Sequence, residues 1–194
     1  MHKRNYYLVN GITLYRVIAA PFLVFLIIDH RLDWFKWLLA ISFFTDSIDG
    51  YLARRYKVVS VFGSRMDSIG DDLTIAAAVA GVIVLKPEFL KHEIIFVIIL
   101  IALFTIQTIL ALIRYGKISS CHTYAAKLSA ILQGVFLLLL FFLPEPVYVL
   151  FYITAIFTIF DLLEEIILVL LLPQWETNVK GLWWVMKRKR QKQS

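Results

Sequence analysis

Six long apolar stretches, separated by short polar or proline-bearing breaks, constrain this chain more than any other feature. A bilayer core takes about 20 apolar residues as helix, and such stretches fall at 11–28, 33–52, 64–85, 93–114, 124–143 and 147–171. Breaks such as Asp29-His30-Arg31 and Leu143-Pro144-Glu145-Pro146 leave room only for a reversal, so neighbouring stretches should run antiparallel. The expected fold is an all-α membrane protein with six transmembrane helices in one up-down bundle. Composition agrees: 60% of the 194 residues are hydrophobic and 18% charged, with a mean hydropathy of +0.78, far more apolar than a soluble domain of this size requires. Without a linker, a low-complexity stretch or an internal repeat, residues 1–194 read as a single membrane domain with a basic tail at 173–194. The basic start, Met1 to Arg4, lacks the small residues of a cleavage site, so the first apolar helix is expected to be retained. Cys121 is the only cysteine, which excludes an internal disulfide framework and a multi-cysteine zinc site.

With six spans both termini face the same side. Lys3, Arg4, Arg16, Arg54, Arg55, Lys57, Arg65, Arg114, Lys117, Lys127, Lys180, the run Lys187-Arg188-Lys189-Arg190 and Lys192 then share that side, leaving Arg31, Lys36, Lys86 and Lys91 opposite. The positive-inside rule makes the first side the cytoplasm. This asymmetry accounts for the net charge of +6 without a nucleic acid partner. The basic tail beside Trp183 and Trp184 suits an anionic inner leaflet.

An aspartate inside a membrane helix costs roughly 2.5–3.5 kcal/mol on insertion scales, so each one needs a partner or a task. Asp46 and Asp49 close the second stretch, and Asp67, Asp71 and Asp72 open the third, all at cytoplasmic ends. Asp46, Asp49, Gly50 and Ala53 follow i, i+3, i+4, i+7, and Gly63, Asp67, Gly70 and Asp71 follow i, i+4, i+7, i+8. Each set therefore shares one helical face on which acids alternate with residues that have little or no side chain. Taken singly, such acids also cap helices or pair in water with Arg54, Arg55, Lys57 and Arg65; the small residue beside each acid argues for a close-packed site instead. Four carboxylates converging there would repel one another unless a cation neutralised them. Oxygen-only ligands favour Mg²⁺, Mn²⁺ or Ca²⁺ over zinc, and carboxylate-held metals suit phosphoryl chemistry.

These residues resemble the signature of the CDP-alcohol phosphotransferases, D-x2-D-G-x2-A-R-x8-G-x3-D-x3-D. Here it reads Asp46, Asp49, Gly50, Ala53, Arg54, Gly63, Asp67 and Asp71, with every position matched. Eight fixed residues coincide by chance with a probability on the order of 10⁻¹⁰ per start site. Asn10-Gly11-Ile12-Thr13-Leu14-Tyr15-Arg16, with Pro21, is similar to the family's P-N-x-L-T-x-x-R stretch, although Val9 stands in place of its first proline. The resemblance implies two Mg²⁺ or Mn²⁺ ions held by Asp46, Asp49, Asp67 and Asp71 at the cytoplasmic ends of helices 2 and 3. It implies Asp71 as the base for the attacking hydroxyl, with Gly50, Ala53, Gly63 and Arg54 around the nucleotide. The implied reaction transfers a phosphatidyl group from CDP-diacylglycerol to a small polar alcohol with release of CMP. The family is also commonly dimeric, which makes a homodimer an expectation by analogy.

The signature does not specify the alcohol: glycerol 3-phosphate, serine, inositol or its phosphate, and phosphatidylglycerol are the candidates. Arg114 and Lys127, with Arg16, are candidates for an anion pocket around a phosphorylated acceptor. Lys127 and Gln133 resemble the K-x5-Q pattern of phosphatidylglycerophosphate synthases, which favours glycerol 3-phosphate. Against that, Asp67-Ser68-Ile69-Gly70-Asp71-Asp72 departs from their D-P-x-x-D-K, and Asp72 reverses a charge. Asp161, Glu164 and Glu165 share a face in the last stretch and are expected to mark its end, with Ile166 to Leu172 along the interface. His122 reads as a residue at a helix start. Intramembrane acids also occur in small cation transporters, but those acids lie near the midplane rather than at span ends on one side.

Overall fold

The computed structural model describes the backbone of residues 2–56, 61–117, 123–176 and 179–193, and side chains at 11, 14–45, 48, 69–70, 73–117, 123–176, 179–188 and 191. Among the described residues there are eight helices and no strand: α1 His2–Ile28, α2 Leu32–Tyr56, α3 Val61–Leu85, α4 Pro87–His92, α5 Ile94–Tyr115, α6 Tyr124–Phe142, α7 Tyr148–Leu171 and α8 Leu182–Gln193. Six of them carry the apolar stretches, with α1 and α2 extending further towards the termini of their spans than hydropathy alone marks. The reversal after α1 is closed by Arg31 N–H donating to the Leu26 carbonyl at 2.9 Å, with His30 in the left-handed region at φ +53°. The short α4 was not marked by the hydropathy pattern; it opens on Pro87, whose fixed φ and missing N–H suit a first helical position. Gly116 ends α5 at φ +65°, donating its N–H to Leu112 O at 2.8 Å. The Thr123 hydroxyl caps α6 by accepting the Ala126 N–H at 3.0 Å.

Two of the described helices, α5 and α6, are long and apolar enough to cross a membrane, and Leu14–Ile28 and Leu73–Leu85 are shorter apolar stretches. In α5 the usual soluble pattern is turned inside out. Its buried residues are Gln107 and Ala111, while Ile95 and Ile113 stand 70% and 79% exposed. A helix that hides its amide and displays its isoleucines is built for an apolar solvent.

The helices form two compact units. One comprises Met1–His92 with Phe141–Pro144, the other Glu93–Leu140 with Glu145–Ser194. In the first, α1 packs along both α3 and α2, through Ala19, Ala20, Leu23 and Ile27 on α1 and Ala77, Ala78 and Val82 on α3, all buried. Phe35 of α2 meets Phe141 edge to face, with ring centroids 4.9 Å apart. Gly81 makes room for this pair. A Cβ there would lie 2.6 and 2.9 Å from two Phe35 ring atoms and 3.2 Å from Phe141.

In the second unit α5 packs along α7, and polar side chains link the helices. Gln107 donates to Glu165 at 2.8 Å, and the Tyr115 hydroxyl reaches the Val169 and Leu172 carbonyls at 2.8 and 2.9 Å. Ser129 of α6 donates to Phe157 O at 3.1 Å, and Gln133 to the Thr158 hydroxyl at 2.9 Å. The acid group does not end the last apolar helix. α7 continues unbroken to Leu171, and Leu168, Val169 and Leu172 are buried, Leu168 and Leu172 clustering with Val179 and Val185. Residues 166–171 are thus part of α7, with Leu168 and Val169 buried and Ile167 and Leu170 exposed.

Candidate functional site

The two acid-bearing faces lie on continuous helix, as their spacing requires. Asp46, Asp49, Gly50, Ala53 and Arg54 belong to the C-terminal part of α2, and Gly63, Asp67, Gly70 and Asp71 to the N-terminal half of α3. Of these, only Gly70 has described side-chain surroundings. The side chains of Asp46, Asp49, Ala53, Arg54, Asp67 and Asp71, and the surroundings of Gly50 and Gly63, lie outside the described residues, as does Asp72. Described residues continue each helix beyond the signature.

On α2 one such residue is Ser42, one turn before Asp46. It is fully buried, donates to Leu38 O at 2.9 Å, and shares a hydrogen bond with Tyr15 of α1. On α3 the continuing residues are Gly70, Thr74, Ala77, Ala78 and Gly81, all buried. The Thr74 hydroxyl donates to Gly70 O at 2.7 Å, which occupies its polar atom locally and leaves the face smooth. Ser42 on α2 and Gly70, Thr74, Ala77, Ala78 and Gly81 on α3 thus lie in the interior of one unit, in which α2 and α3 are in contact.

Arg16 of α1 crosses this interior at the level of the signature. It is 1% exposed, and a Cβ on Gly70 would stand 3.3 Å from Arg16 Cβ and 3.7 Å from both Nε and Cζ. The guanidinium thus lies along α3 at a position flanked in sequence by Asp67 and Asp71. A side chain at this position would require Arg16 to shift by a few tenths of an ångström. Sequence reasoning found Arg16 as a positive charge but not its packing against Gly70, a contact between residues 54 apart that no local pattern encodes.

The other two basic candidates belong to the second unit. Arg114 sits exposed in the last turn of α5, its Nε donating to Leu172 O at 3.2 Å. Lys127 is exposed in the first turn of α6, with Nζ 5.8 Å from the Tyr124 ring centroid. Gln133, its partner in the K-x5-Q pattern, bonds to Thr158 of α7. His122 lies outside the described residues, and the cap of α6 is Thr123.

The second acid group is individually engaged. Glu165 accepts from Gln107, Glu164 accepts the Leu182 N–H at 2.8 Å, and Asp161 shares a hydrogen bond with Thr123 while its Oδ1 is buried without one. Among the described residues, no group of three or more His, Cys, Asp or Glu side chains is placed to hold a metal ion. Gln107 and the Glu164 contact to the tail were missed from sequence. The signal for the first was present, since a lone amide in an apolar run needs a partner.

Comparison with known proteins points the same way as the signature. The CDP-diacylglycerol–glycerol-3-phosphate 3-phosphatidyltransferase of Cereibacter sphaeroides is 33% identical over 78 residues, 38% of this chain and 35% of that protein. The CDP-diacylglycerol–inositol 3-phosphatidyltransferase of Saccharomyces cerevisiae is 32% identical over 84 residues, 43% of this chain and 38% of that protein. These matches span little more than a third of either relative. The glycerol-3-phosphate 3-phosphatidyltransferase of Rickettsia typhi is 29% identical over 127 residues, 64% of this chain and 70% of that protein. No solved structure matches. The family profile described as CDP-alcohol phosphatidyltransferase matches residues 6–160, a region that holds both acid-bearing faces and Arg16; the chain belongs to the CDP-alcohol phosphatidyltransferase family.

Proposed function

We propose that this protein transfers a phosphatidyl group from CDP-diacylglycerol to glycerol 3-phosphate, releasing CMP. The observation that carries the reading is the complete signature, laid on two helices in contact, α2 and α3, with buried small residues further along α3. In this reading the chain forms six spans in one up-down bundle, residues 1–194 act as one membrane domain, and the tail at 173–194 lies in the cytoplasm with both termini. A homodimer is the assembly the family implies.

Asp46, Asp49, Asp67 and Asp71 are the residues that would hold two divalent cations. The donor set fits: four carboxylates offer hard oxygen ligands suited to Mg²⁺ or Mn²⁺, and the lone Cys121 supplies no competing thiolate cluster. Such ions, when bound, neutralise the diphosphate of the CDP-lipid and the charge that develops on departing CMP. Arg54 contacts a phosphate oxygen, and Gly50, Ala53 and Gly63 leave space for the nucleotide. Asp71 accepts the proton of the acceptor hydroxyl. That oxygen bonds to the lipid-side phosphorus as the bond from phosphorus to the CMP oxygen breaks, and CMP leaves with the electron pair. Arg114 and Lys127, with Arg16, supply positive charge for a phosphorylated acceptor. Two of the relatives compared are named for glycerol 3-phosphate, in accord with the Lys127 and Gln133 pattern. The yeast relative, named for inositol, favours inositol as the second reading.

The test is CMP release by the purified protein from CDP-diacylglycerol with Mg²⁺ or Mn²⁺ and each acceptor in turn, the lipid product being identified by mass. Release with glycerol 3-phosphate that a chelator abolishes is the expected result, and Asp71→Asn should lower it by about 10²–10⁴-fold. Unchanged release by that variant removes Asp71 from the chemistry, and release with inositol alone transfers the reading to that acceptor.

A further inference from the structure

The tail is more than a basic extension. Residues 182–193 form the helix α8, and its start is built rather than frayed. The Glu164 carboxylate on α7 accepts the Leu182 N–H at 2.8 Å, placing a negative charge at the positive end of the helix. Gly181 stands at φ +146°, and a Cβ there would come within 3.1 Å of Glu164 Oε1, so the approach needs glycine. Val179, Leu182 and Val185 then pack on Leu168 and Leu172.

This anchoring fixes which side of α8 turns outward. Trp183, Trp184 and Met186 are 61%, 43% and 46% exposed, although a helix seated on an apolar cluster had every opportunity to bury its tryptophans. The Lys187 ammonium lies 5.2 Å from the Trp183 ring centroid, and Lys187 and Arg188 are exposed. Beside them runs a groove of about 420 Å³ whose lining includes Lys180, Trp184, Lys187 and Arg188, with Glu176 as its one acid. Arg188 pairs with that acid at 2.9 Å. The sequence of α8 holds five basic residues and no acidic one.

We propose that α8 is a docking helix for an anionic phospholipid surface. Exposed indole rings beside a row of cations match the headgroup layer, where the rings sit at the polar–apolar boundary and the cations meet phosphates. Charge complementarity selects this occupant: an all-basic helix gains about 1 kcal/mol per residue near an anionic leaflet and nothing comparable at a zwitterionic one. The inference is independent of the reaction proposed above.

The experiment uses the full-length protein in nanodiscs of phosphatidylcholine alone or with phosphatidylglycerol, and follows tryptic release of the C-terminal fragments at Lys187–Lys192 by mass. Cleavage at least 10-fold slower in the anionic discs is expected, with the protection lost in about 0.5 M salt as the charges are screened. Trp183→Ser keeps every cleavage site and should restore at least 3-fold of the rate in anionic discs. Equal cleavage in the two lipids overturns the proposal. Salt-resistant protection in both also overturns it, assigning the face to protein contacts, and so does protection found in native membranes but absent from anionic discs.

Discussion

In the unit that carries the signature aspartates, the described helices meet through alanine, glycine and aromatic rings; in the other they meet through hydrogen bonds from Gln, Ser, Thr and Tyr. Among the described residues, Gly70 lies against Arg16 and Gly81 against Phe35 and Phe141 in the first. Gln107, Tyr115, Ser129 and Gln133 each reach another helix or its end in the second. In a lipid solvent there is no hydrophobic drive between helices, so association rests on close packing or on polar links. The two units differ in emphasis: the first also has the Tyr15–Ser42 hydrogen bond and the second also packs Ala111, Ala155, Phe136 and Phe151, but the polar links between helices are concentrated in the second.

If that contrast is real, the packing unit should be the more sensitive to single changes. Phe35→Ala, at a side chain with no exposed surface, should cost on the order of 2–3 kcal/mol, the cavity part of a Phe→Ala change. Gly81→Ala drives a methyl into the same pair of rings and should cost about 1–3 kcal/mol. Thermal unfolding in nanodiscs reads both, and a loss below about 0.5 kcal/mol for each would break the contrast.

A smaller effect is expected from the polar unit. In a double-mutant cycle of Gln133→Leu and Thr158→Val, the coupling should be about 0.6 kcal/mol and not above about 1.7, the range measured for hydrogen bonds between membrane helices. A larger coupling would place the main constraint in the polar unit instead.

The smallest effect concerns Lys86, at the end of α3, which donates to Leu143 O at 3.3 Å. Partial burial, and secondarily the positive charge of Lys36, push its ammonium below the ordinary lysine value of 10.5. The unfolded chain then holds this proton more tightly than the folded one. Stability should therefore rise with pH across the window that ends near 10.5, with the penalty fully present below it. Lys86→Met should flatten that rise in a series of unfolding midpoints; an unaltered slope would remove Lys86 from the account.

Much of the architecture was legible because the breaks are chemically loud. The polar run Asp29-His30-Arg31 between two apolar stretches and the pair Pro144 and Pro146 are turn signals, and α1 ends at Ile28 and α6 at Phe142 accordingly. The signature was legible for a related reason, since a 3.6-residue period turns its spacing into a face without knowledge of the rest of the fold. Contacts between distant residues were not. Arg16 was readable as a charge, but Gly70 as its neighbour was not. The acids at 161–165 read as a stop, whereas α7 runs through them because Gln107, Thr123 and the Leu182 N–H supply partners from elsewhere in the chain. The tail read as a basic segment suited to an anionic leaflet, but its helix start at Glu164 and Leu182 was not legible.

The burial of Arg16 also bears on how the protein is made. Arg16 lies near the middle of α1 and is 1% exposed in the finished unit. During synthesis α1 emerges before α3, so for that interval the charge must stay at the membrane surface or draw water inward, at a cost of roughly 2.5–3.5 kcal/mol. The packed position of Arg16 is therefore reached only once Gly70 of α3 is in place to receive the side chain.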